Sequence, residues 1–101
     1  MGEFATLADV KAIEAEAPWD KRDVARTIYE FLTRAKAAHG ARPAISFQLL
    51  SDPAAPARTL TWTALHAEVT RAANLFRSLG VGPKDAVAYV LPNTMETAIT
   101  L

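Results

Sequence analysis

Cysteine is absent from this 101-residue sequence, and histidine occurs only twice. Without thiols there is no disulfide framework, no thiolate nucleophile and no thiolate-held metal. His39 and His66 stand far apart, with no partner at ligand spacing. His39 falls where a helix ends and a partial positive charge is favoured, and His66 flanks an apolar helix face. Excess charge of one sign is also missing, since 11 basic residues balance 11 acidic ones. Counterion release on nucleic acid needs clustered surplus cations, so that class of partner is excluded. Lys21 and Arg22, flanked by Asp20 and Asp23, form a balanced polar segment. No apolar stretch reaches the ~20 residues that span a bilayer. Met1 to Val10 carries Glu3 and Asp9 and no basic start, unlike a secretory signal. A soluble, cytoplasmic chain is the expectation.

Glycine is scarce as well, with four in total. Gly80 and Gly82 follow a helical pattern and precede an apolar run. A dinucleotide-binding loop needs a strand before its glycines and a helix after them. The order here is reversed, so a helix-terminating turn explains this pair.

Half of the residues are hydrophobic, and their spacing changes along the chain. Leu7, Val10 and Ile13 recur at helical spacing until Pro18, which cannot continue a helix. Thr27 to Glu30 fits a reciprocal capping box, the threonine capping one end and the glutamate reaching back to it. Ile28, Phe31, Leu32 and Ala35 make the stripe of a second helix, with Glu30 four residues before Arg34 as a surface pair. His39-Gly40 closes it, and the glycine is expected in the left-handed conformation. From Ile45 the period falls to two: Ile45, Phe47 and Leu49, then Leu60 and Trp62, predict two strands joined by the Pro53- and Pro56-containing loop. Thr63 is the expected N-cap of a third helix whose buried face is Leu65, Val69, Ala72, Phe76 and Leu79. Ala86 to Leu91 is nearly continuous apolar sequence, which predicts a strand covered on both faces. Asn93 with Glu96 predicts the start of a fourth helix near Thr94.

That last helix has about two turns before Leu101 and no closing signal. The apolar strand before it needs neighbours on both edges. The expectation is a truncated α/β unit of helices packed on a small, incomplete sheet. No nucleophile elbow and no paired catalytic carboxylates are present; Glu14 and Glu16, like Asp20 and Asp23, read as solvated faces. Asn93 lies at the carboxyl end of the expected strand, the side on which open α/β sheets bind ligands, but its role as a helix cap accounts for it. No catalytic, cofactor-binding or metal-ligating residue is assigned.

Leu60-Thr61-Trp62-Thr63-Ala64-Leu65 resembles the first core motif of the acyl-activating, adenylate-forming superfamily, Leu-Thr/Ser-Tyr-x-Glu-Leu. Trp62 stands in the Tyr place and Ala64 in the Glu place. The strings from Glu68 to Phe76, from Leu79 to Asp85 and from Ala86 to Asn93 are similar to the helix, turn and Leu-Pro-Asn strand that follow in that family. Upstream, Thr27 to Leu32 and Ala41 to Ile45 resemble its lead-in. The similarity runs from near Thr27 to the end, placing residues 27–101 at the start of an AMP-binding domain and residues 1–26 in a helical lead-in and connector.

The resemblance implies the N-terminal part of the large subdomain of an acyl-CoA synthetase, with a fatty acid as the expected substrate. Such a parent uses ATP, magnesium and coenzyme A. Its phosphate loop, ribose-binding aspartate and C-terminal lysine match nothing in these residues, so the piece alone is expected to be inactive. Its implied partner is the remainder of its own enzyme, and self-association is expected where sheet edges stay uncovered. Two alternatives stay open: a stand-alone, monomeric interaction module, and another branch of the superfamily such as an amino-acid adenylation domain.

Overall fold

In the computed structural model residues 4–101 are described. The α/β chain has helices α1 (Leu7–Glu16), α2 (Ile28–His39), α3 (Trp62–Ser78) and α4 (Met95–Thr100), strands β1 (Pro43–Gln48) and β2 (Ala57–Thr61), and a 3-10 turn at Trp19–Lys21.

The first helix carries a full capping box that the sequence reading missed. Thr6 accepts from the Asp9 amide, and the Asp9 carboxylate accepts from the Thr6 amide at 2.9 Å. At its other end the Arg22 guanidinium donates to the carbonyls of Ala17 and Ile13. This satisfies two of the acceptors that any helix end leaves open. Thr27 caps α2 as expected, accepting from the Glu30 amide at 3.0 Å. The reciprocal half differs: Glu30 reaches past the cap and accepts from the Arg26 amide at 2.8 Å. It also pairs with Arg34 at 2.6 Å, while Arg34 holds Asp23 at 3.0 Å.

Gly40 corrects an expectation. Its backbone is right-handed, with φ −46° and ψ −42°. The physical reason for glycine here is proximity: a Cβ would lie 2.7 Å from the Thr63 hydroxyl and 2.9 Å from the Lys36 carbonyl. The Gly40 and Arg42 carbonyls accept from the Thr63 and Trp62 amides, two of the orphan donors that open α3. The end of α2 is thereby fastened to the start of α3. Gly80, in contrast, has φ +87° and supplies the left-handed turn after α3.

Strands β1 and β2 pair antiparallel, Phe47 opposite Arg58 and Ile45 opposite Leu60, with a bulge between Pro43 and Ile45. Gln48 closes the connecting loop by donating to the carbonyls of Asp52 and Ala55. The strand ends one residue earlier than the alternation predicts, because Trp62 is already helical. Thr61, and not Thr63, is the N-cap of α3, accepting from the Ala64 amide at 3.1 Å. Likewise Thr94, and not Asn93, caps α4 by accepting from the Thr97 amide. Both shifts have one cause. The cap is the residue whose backbone is still extended when its oxygen can reach back, and periodicity alone does not locate that point.

The largest departure is Ala86 to Leu91, which forms no strand. None of its backbone groups bonds to another backbone group among the described residues. A segment of strand composition becomes a strand only where a second backbone lies beside it. The apolar interior is correspondingly small. Met95, 1% exposed, is the one fully buried side chain among the described residues. Leu65, Val69, Ala72 and Phe76 are half-buried along the inner face of α3, and Leu79 is exposed.

Candidate functional site

Helices α2 and α3 pack side by side, and a polar cluster crosses between them. Thr33 donates its hydroxyl proton to the Tyr29 carbonyl at 2.9 Å, so His66 Nε2, 3.0 Å from that hydroxyl oxygen, is the donor to it. Thr70 likewise donates to the His66 carbonyl, which leaves the Tyr29 hydroxyl donating to Thr70 Oγ1 at 3.0 Å. The Tyr29 and His66 rings lie 5.0 Å apart, tilted by 39°. Each hydroxyl proton is committed, and the imidazole presents a proton to Thr33 instead of accepting one. Thr33 is therefore not activated as a nucleophile. The cluster locks helix to helix.

His39 sits at the end of α2, where the sequence places it, beside an open groove of about 800 Å³. Ile28, Phe31, Ala35, Ala38 and Trp62 supply its apolar wall, and Asp23, Arg26 and Arg34 its polar rim. Phe31 meets Trp62 edge to face, with centroids 6.4 Å apart. A second groove of about 380 Å³ runs between α2, α3 and α4, lined by Leu32, Leu65, Val69, Phe76 and Ile99 among others. Neither groove collects a base, a nucleophile and an oxyanion donor at one place.

The turn from Gly80 to Asp85 is closed to a phosphate. The Gly82 amide donates to the Asp85 carboxylate at 2.6 Å, so a fixed anion already occupies that donor. A nucleotide phosphate would meet like charge there. Asn93 is displaced from its predicted capping role and lies exposed before α4. Among the described residues no group of three or more acidic or histidine side chains is placed to hold a metal ion, and no helix is long and apolar enough to cross a membrane.

Glu30 and Glu96 are the perturbed carboxylates. The Arg26 amide, and then the Arg34 guanidinium, hold Glu30 below the usual carboxylate range. Glu96 is held low by its own backbone amide in the first turn of α4, and then by Arg58, 2.5 Å away. Both are surface pairs that tie elements together; Arg58–Glu96 links β2 to α4.

The Leu60–Leu65 string now has a physical meaning. It is the strand-to-helix junction, in which Leu60 ends the pairing, Thr61 caps and Trp62 opens α3 against Phe31. Residues 32–101 match the model of the AMP-binding enzyme family. The chain belongs to that family. It is similar to the acetyl-coenzyme A synthetase of Beijerinckia indica, 32% identical over 83 residues that make up 82% of this chain and 13% of the relative. That of Streptomyces coelicolor is 36% identical over 86 residues, 84% of this chain and 13% of the relative. A Mycobacterium tuberculosis protein of the same name is 41% identical over 66 residues, 65% and 10% respectively. The chain therefore spans about an eighth of the first two relatives. No solved structure matches it.

Proposed function

We infer that these residues begin the AMP-binding domain of an AMP-forming acid–thiol ligase whose acid is small, with acetate the first candidate. In that reaction a carboxylate oxygen attacks the α-phosphorus of ATP and pyrophosphate leaves. The sulfur of coenzyme A then attacks the acyl carbon, and AMP leaves. The observation that carries the reading is the family match over residues 32–101 together with relatives named acetyl-coenzyme A synthetase. A fatty acid, the expectation from the first resemblance, gains no support from those names.

The part these residues play is architectural. The family's domain is taken to start near Thr27, with residues 1–26 as its lead-in, and no side chain here is given a catalytic, nucleotide-binding or metal-binding role. The α2–α3 clamp and the capped β2–α3 junction hold one edge of the domain. ATP, magnesium and coenzyme A are bound by the remainder of the enzyme, and the cytoplasm, which supplies the nucleotide and the thiol, is its setting.

The test uses the longer polypeptide that contains this sequence. Acetate-dependent exchange of labelled pyrophosphate into ATP, followed by acetyl-thioester formation, is the expected result. Octanoate is expected to be a poor substrate, and the 101 residues alone are expected to give no exchange. Faster exchange with octanoate than with acetate would overturn the acid assignment. Absence of exchange with every carboxylate would overturn the ligase reading.

A further inference from the structure

No further inference is drawn: the strongest candidate, the open groove between the connector at residues 23–27, α2 and Trp62, has an apolar wall, and nothing in the structure shows what covers it.

Discussion

Residues 27–79 and residues 81–93 contain similar apolar side chains and end up in different states. In the first region every element is fastened by a neighbour. Thr27 and Thr61 cap the two long helices, and Gly40 and Arg42 accept the first amides of α3. The Tyr29–Thr33–His66–Thr70 cluster ties α2 to α3, and β1 finds β2 across the loop of residues 49–56. In the second region the apolar run from Ala86 to Leu91 makes no backbone–backbone hydrogen bond among the described residues and has no secondary structure. Hydrophobicity alone does not make a strand. Helices satisfy their own backbone and a hairpin satisfies its partner's, whereas an isolated strand satisfies nothing.

Met95 bridges the two states, being the buried residue at which the chain rejoins α3 through α4. Met95→Ala should cost about 2–3 kcal/mol in the unfolding of this docking. The expected readout is faster amide exchange in α4 with little change in α2 and in the first turns of α3. Uniform acceleration throughout would merge the two regions into one cooperative unit.

Gly80 marks the border between the regions. A Cβ there meets nothing within 4 Å, so Gly80→Ala should destabilise by about 1–2 kcal/mol through the backbone alone. Urea titration checks this, and an unchanged midpoint would show that the turn at φ +87° does not hold the border. Within the fastened region, Thr61→Ala should cost about 1 kcal/mol by uncapping α3. Thr63→Ala should cost less, since its amide, not its hydroxyl, makes the hydrogen bond to Gly40. The reverse order would restore the cap position read from sequence.

The smallest effect concerns pH. Glu30 is held low in the folded chain, so its ionised form stabilises the fold above the ordinary carboxylate range. That contribution is lost as pH falls through the lowered folded value. Glu30→Gln should therefore lower the urea midpoint slightly at pH 7 and flatten its decline on acidification. The pair is exposed, and about 0.5 M salt should shrink the difference. A parent midpoint no more acid-sensitive than the variant's would remove Glu30 from the fastening of α2.

Much of the first region is legible residue by residue. The stripe Ile28, Phe31, Leu32 and Ala35, the Glu30–Arg34 pair, the left-handed Gly80 and the antiparallel β1–β2 hairpin all follow from local spacing and turn chemistry. The caps at Thr61 and Thr94 were legible in part, since a threonine or asparagine at a helix start is a signal, whereas the cap at Thr6 was missed. The registers of the first two were not, because Thr63 and Asn93 offer equally suitable side chains close by and only the backbone angles choose between them. No residue is assigned a catalytic or binding role from sequence, and the α2–α3 polar cluster becomes visible only where the fold brings Tyr29, Thr33, His66 and Thr70 together.

Composition and spacing by themselves determined where helices and hairpin form, because those interactions lie within a few residues of each other along the chain. Tertiary structure decided what lies far apart in sequence: Gly40 pressed against Thr63, His66 donating to Thr33, Arg58 reaching Glu96. Among the described residues it leaves Ala86 to Leu91 without a backbone partner. A strand is a relation between two backbones, and one sequence segment specifies only half of it.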